Sequence, residues 1–275
     1  MSGACRLDGK VAIVTGGTQG LGEAVARLFV ARGAEGILLV GRDRERGRAV
    51  AEALEAEGAR ALFVQADLAD LDAVRRIVPA CEGAFGRVDC LVNAAALTDR
   101  GTVLSTDPAL FDRLVAVNVR APFFLMQDSI RLMLDKGVQG SIVNILSVSQ
   151  HGGQSFLTVY SATKTMLGAL TKNVAFSVLP HRIRVNGLNI GWMNTPGEHA
   201  IQKKAHHAPD DWLERAAATR PFGRLLEPAE VARAVAFLCS DESGMMTGAL
   251  IDFDQTVLGC WDEPPVPKTN LLGTG

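Results

Sequence analysis

Seven short apolar runs, separated by stretches with helical periodicity, constrain this chain more than any other feature. The runs are VAIVT (11–15), GILLVG (36–41), ALFVQAD (61–67), CLVNA (90–94), SIVNILS (141–147), IRVNGLN (183–189) and GALIDF (248–253). Between them, segments such as GEAVARLFVARG and ERGRAVAEALEAEG repeat apolar residues every three or four positions. Runs that are continuously apolar suit strands buried on both faces, and intervening helices supply the crossovers that parallel strands need. The sequence therefore predicts an α/β fold, a doubly wound parallel sheet in three layers, α/β/α. No Pro/Gly/Ser-rich linker interrupts the middle, so residues 1–275 are expected to form a single domain.

Charge and hydropathy narrow the partners. With 28 basic and 30 acidic residues, the chain lacks the basic footprint that nucleic acid or an anionic membrane requires. No apolar run reaches the roughly 18 residues of a membrane span, and MSGACRLDGK has no apolar core of a signal peptide. A cytoplasmic protein with a small-molecule substrate is expected. Cys5, Cys81, Cys90, Cys239 and Cys260 are odd in number and form no CxxC pair, which fits reduced thiols, most of them in the core. Two helical stretches, from Pro108 to about Leu134 and from Thr158 to about Leu179, are apolar on more than one face. That pattern predicts a subunit interface, hence a homo-oligomer, dimer or tetramer.

Ligands of such sheets bind beyond the C-terminal strand ends, which directs attention to TGGTQGLG (15–22) after the first strand. Its glycines permit a tight turn and close approach of a pyrophosphate to a helix N-terminus, as in Rossmann-like folds. In the later helical stretch from Thr158, VYSATK (159–164) holds the chain's only tyrosine, with a lysine four places on. In a helix the two share a face, so Tyr160 and Lys164 can form an acid/base pair in one cavity.

The Gly16-xxx-Gly20-x-Gly22 spacing resembles that of short-chain dehydrogenases/reductases, and the resemblance extends over residues 8 to about 256. It implies that Gly16, Thr18, Gln19, Gly20, Leu21 and Gly22 cradle a dinucleotide. Asp67 would bind the adenine amino group with Leu68 beside the ring, although Asp67 also suits a helix N-cap. The stretch Asn93, Ala94, Ala95 stands where the family has Asn-Ala-Gly. Cofactor choice is read at the end of the second strand, where Gly41 offers no carboxylate and Arg42 can pair with a 2′-phosphate. NADP(H) is therefore favoured; NAD(H) would follow if Asp43 reached the ribose.

Ser147 lies 13 residues before Tyr160, a family spacing that favours it over Ser149, and Asn118 matches the family's helix asparagine. The catalytic set implied is Asn118, Ser147, Tyr160 and Lys164. Tyr160 would move the proton, with its pKa lowered by the Lys164 charge and an oxidised nicotinamide. Lys164 would also hold the nicotinamide ribose, Ser147 would bond the substrate oxygen, and Asn118 would anchor a water. After the sixth strand, Ile190 replaces the family's usual proline, and Thr195 matches a hydroxyl near the nicotinamide amide or simply caps a helix.

Residues 196–226 fall where the family has its variable substrate lid. Adjacent His206 and His207 lack a matching carboxylate pattern, so no metal is expected. Ser149, His151, Gln154 and Trp192 could line a pocket for a hydroxylated compound, which points to a sugar or polyol; a β-ketoacyl thioester is the rival substrate. A nucleotide-sensing protein without turnover is the rival of another class, opposed by the complete catalytic set. The proline-rich end, 262–275, either crosses onto a neighbouring subunit or stays free.

Overall fold

The computed structural model describes residues 4–260. The tail predicted at 262–275 lies outside them. The first half runs β1 (Val11–Thr15), α1 (Gly20–Ala31), β2 (Gly36–Gly41), α2 (Arg44–Ala56), β3 (Arg60–Gln65), α3 (Leu71–Arg75), α4 (Ile77–Phe85) and β4 (Cys90–Asn93). The second runs α5 (Pro108–Val115), α6 (Ala121–Asp135), β5 (Ser141–Ser147), α7 (Thr158–Ser177), β6 (Arg184–Ile190), α8 (Pro196–His206), α9 (Trp212–Ala218), α10 (Pro228–Cys239) and β7 (Leu250–Phe253). All seven strands are parallel, in the order β3-β2-β1-β4-β5-β6-β7. Strand order reverses between β1 and β4, and the crevice opened there is where a doubly wound sheet binds its ligand.

The central strands are mostly apolar because helices cover both faces, and their buried polar side chains, such as Asn93 and Asn144, bond one another. One layer packs α1, α2 and α10 on the sheet through Val25, Phe29, Leu54 and Val235, and the other packs α4, α6 and α7 through Ile77, Leu125 and Leu167. Burying a side chain of this size contributes roughly 1.5–3 kcal/mol. Asp89, at the foot of the sheet, accepts hydrogen bonds from Val11 N–H at 3.0 Å and from Arg87, which fixes the start of β1 against β4.

The stretch predicted as one helix from Pro108 is two, joined by a turn of π-helix over Ala116–Arg120. The π turn inserts a residue into the ladder while keeping Val117, Val119 and Leu125 buried, so the apolar pattern reads straight through it. Cys81, Cys90 and Cys239 are buried, as expected of core cysteines, while Cys5 is half-buried and Cys260 exposed. No helix among the described residues is long and apolar enough to cross a membrane.

Candidate active site

The crevice at the C-terminal strand ends is a cleft of about 310 Å³. Its floor is the turn from β1 into α1. Gly16 has φ of +67° and Gly20 of +56°, conformations that disfavour any side chain. A Cβ on Gly16 would lie 3.0 Å from Ala95 Cα, and one on Gly22 would run into the carbonyl oxygen of Gly16. Thr15 Oγ1 accepts from the N–H groups of both Ala94 and Ala95 at 3.1 Å, which binds the β4 loop to this turn. The result is a backbone cradle at a helix N-terminus, lined also by Thr18, Gln19 and Leu21, with the chemistry a pyrophosphate requires. A dinucleotide therefore fits the residues present.

At the far end of the cleft Arg42 is exposed. A Cβ on Gly41 would lie 2.6 Å from Thr18 Cγ2, so an acidic side chain in that slot would have to displace Thr18. Asp43 points elsewhere: it caps α2 by accepting from Arg46 N–H at 3.0 Å. Asp67 and Leu68 line the same cleft. Asp67 accepts from Ala69 N–H at 2.9 Å and from Arg113 at 3.1 Å. Burial would raise its carboxyl pKa, but those bonds and the charges of Arg113 and Arg42 outweigh burial and lower it. The cap of the following helix is Asp70, not Asp67.

Two of the asparagines are structural in their visible contacts. Asn93 is buried beneath the cleft and donates to Asn144 Oδ1 at 2.8 Å. Asn118, in the π turn, accepts from Leu97 N–H at 2.8 Å, donates to Leu97 O at 2.9 Å and donates to Thr163 at 3.1 Å. It thus ties the β4 loop to α7 one residue before Lys164.

Tyr160 and Lys164 share the inward face of α7 and both line the cleft. Lys164 Nζ is 5.7 Å from the Tyr160 ring centre and donates to Ile145 O at 2.7 Å. Burial pulls the Lys164 ammonium down to about 8. Burial likewise pushes the Tyr160 phenol up to about 12, against smaller lowering effects from a Ser147 hydrogen bond and the Arg100 charge. Lys164 is not among the groups that act on the phenol here; burial dominates. Ser147 ends β5 beside the phenol. Ser149 donates to Ser147 Oγ at 2.9 Å, with its N–H doing so at 3.2 Å.

Ile190 and Thr195 border the same cleft. Thr195 also caps α8, accepting from Glu198 N–H at 3.1 Å, so both readings of this residue hold together. Beyond it, α8, α9 and the chain to Leu225 form a small core around Trp212, against which Trp192 stacks at 5.9 Å. Gln154 and His151 are exposed before α7, away from the cleft lining. His206 accepts from Arg100 at 3.1 Å and His207 ends α8 with φ of +48°. No group of three metal-ligating side chains is assembled among the described residues.

The sequence reasoning passed over Glu198, which lines the cleft, and Arg100, which pairs with it at 3.3 Å with both side chains about 15 % exposed. The only local signal was Thr195-x-x-Glu198, a capping-box pattern, and only the threonine half of that box forms.

Residues 16–255 match a family model described as enoyl-(acyl carrier protein) reductase. The chain is 34 % identical to cis-4-hydroxycyclohexanecarboxylate dehydrogenase of Sinomonas cyclohexanicum, over 89 % of this chain and 95 % of that one. It is 30 % identical to galactitol 2-dehydrogenase of Agrobacterium fabrum, over 90 % and 97 %. A solved structure of a putative NAD(P)-dependent gluconate 5-dehydrogenase from Beutenbergia cavernae, with bound NADP, superposes with a TM-score of 0.82. That neighbour is 29 % identical, over 92 % of this chain and 98 % of that one.

Proposed function

The chain belongs to the short-chain dehydrogenase/reductase family of NAD(P)-dependent oxidoreductases, and we propose that it interconverts a secondary alcohol and its ketone using NADP(H). The substrate class we assign is a sugar, polyol or related hydroxy compound. The observation that carries the reading is the meeting of Tyr160 and Lys164 on one wall of a dinucleotide-shaped cleft, with Ser147 at the end of β5 close enough to act on the phenol. The galactitol and hydroxycyclohexanecarboxylate relatives are in keeping with it.

When bound, the nicotinamide supplies or accepts the hydride. The chain's own residues handle the proton. A phenol at about 12 keeps its proton at neutral pH, so Tyr160 suits donation to a ketone oxygen, while Ser147 bonds that oxygen and Ser149 holds Ser147 in position. In the oxidation direction Tyr160 must first be ionised so that its phenolate can accept the alcohol's proton, and Ser147 and the Arg100 charge ease that ionisation. Lys164, fixed by Ile145 O, would hold the nicotinamide ribose. Asn118 acts here by positioning the loop at Leu97 and the helix at Thr163. NADP(H) over NAD(H) is supported by Arg42 in the cleft, by the absence of room for an acid at position 41, and by the use of Asp43 as a cap.

Residues 196–226 serve as the substrate lid of one domain spanning the chain. Exposed Phe111 on α5 and Met166 and Phe176 on α7 support a homo-oligomer joined through those helices, which sedimentation would read. The function is tested by following nicotinamide absorbance with NADP+ and a panel of polyols and secondary alcohols, for wild type and Tyr160→Phe. We expect turnover by wild type and a loss of about 10²–10⁴-fold in the variant with cofactor binding kept. Equal rates in the two proteins, or turnover of β-ketoacyl thioesters in preference to all alcohols, would overturn it.

A further inference from the structure

Glu198 is held in an arrangement that its helix position does not explain. As the third residue of α8 it is placed to reach back to the Thr195 N–H and complete a capping box. Its carboxylate instead takes three donors on one oxygen: Trp192 Nε1 at 2.9 Å, Gln202 Nε2 at 2.7 Å and Arg100 Nη2 at 3.3 Å all bond Oε1. Oε2 receives no donor from any described residue. It is not sealed off either, because the buried side-chain atoms left without partners among the described residues belong to Asn93, Ser129, Ser161 and Asn189. Glu198 lines the cleft that holds Tyr160, and it is near enough for its charge to act on the phenol.

Three donors on Oε1 fix the carboxylate plane and leave Oε2, on a residue that lines the cleft, without a protein donor among the described residues. Arg100 balances the charge in a setting where an unpaired carboxylate would be costly. Such an acceptor favours a hydroxyl and disfavours a substrate carboxylate at the same place.

We propose that Glu198 is a specificity-determining residue whose Oε2 accepts a hydrogen bond from a second hydroxyl of the substrate, close to the reacting carbon, so that the substrate class is a diol or polyol. This rests on the alcohol–ketone reading of the preceding subsection. Trp192, Gln202 and Arg100 are positioning residues for that oxygen.

The test compares kcat/KM of full-length wild type, Glu198→Ala and Glu198→Gln for 2-butanol, 1,3-butanediol and 2,3-butanediol, with NADP+ and with NAD+. A hydrogen bond to a charged acceptor predicts that wild type prefers at least one diol over the mono-alcohol by about tenfold or more. Glu198→Ala should erase that preference. Glu198→Gln, which keeps an oxygen for Trp192 and a polar end toward the substrate, should retain part of it. Because the readout is a ratio, a general loss of folded protein does not mimic the effect. Turnover in which Glu198→Ala leaves the diol preference unchanged, or in which Glu198→Gln is no better than Glu198→Ala, would overturn this inference alone. Failure to turn over any alcohol, or the corresponding ketones with reduced cofactor, would overturn the alcohol–ketone reading and this inference with it.

Discussion

Lys164→Met should make the protein more stable at neutral pH while disabling it. The lysine is buried, and its pKa falls from an ordinary 10.5 to about 8 because burial penalises the ammonium. At about 1.4 kcal/mol per pH unit, that difference is a penalty of about 3.4 kcal/mol carried by the charged form. Methionine fills a similar volume without charge but forfeits the hydrogen bond of a charged group to Ile145 O, worth about 1.5–3 kcal/mol. The net gain is about 1 kcal/mol, or about 2–4 °C in Tm for a chain of this size. Its sign depends on pH in a defined way. Between about pH 8 and 10.5 the unfolded chain keeps a proton on Lys164 that the folded chain has released, so wild type gains stability as pH rises through that window. The advantage of the variant is therefore full below about pH 8, and it vanishes or reverses above about pH 10.5. Thermal melting of both proteins at pH 7 and pH 10.5 checks this. An unchanged or lower Tm for Lys164→Met at pH 7, or a difference that does not shrink with pH, would refute the argument that Lys164 is kept against a desolvation cost for function.

Two further outcomes follow from the site. Arg42→Ala should lower the kcat/KM ratio of NADP+ to NAD+ by about 10- to 100-fold, the worth of a charge-assisted bond to the 2′-phosphate; an equal effect on both cofactors would remove Arg42 from that role. Asn118→Ala should cost about 2–4 kcal/mol in denaturant-induced unfolding, since it strands both polar groups of Leu97 and frees Thr163. Unchanged stability with reduced kcat would show that its work is done on a water and not on the fold.

The sheet was legible in the sequence for a physical reason. A strand covered on both faces is apolar at most positions, so VAIVT, GILLVG and SIVNILS announced β1, β2 and β5 to the residue. The cradle was legible because a backbone that needs positive φ or the absence of a Cβ leaves glycine as its visible trace. The π turn left no such trace: it changes a hydrogen-bond register without changing which residues are buried, so α5 and α6 read as one helix.

The catalytic wall was legible only as far as local spacing reaches. Tyr160 and Lys164 are one turn apart and Ser147 ends a strand that the apolar pattern had located, so their convergence could be argued from the chain alone. Their charge states could not. The pKa of a phenol reflects how far the surrounding fold excludes water, and here burial raises it against the smaller lowering by the Arg100 charge, a balance that spacing along the chain does not carry. Glu198 shows the same limit at longer range. Arg100 is 98 residues away, and the threonine before Glu198 offered a sufficient local account of the glutamate as part of a helix cap. A side chain that declines the partner its own helix offers, and takes three from Trp192, Gln202 and Arg100, is visible only once the fold has brought those elements together. Such diversions are where a cleft departs from the pattern of its scaffold, and they are the positions at which substrate choice can change without disturbing the sheet or the acid/base pair.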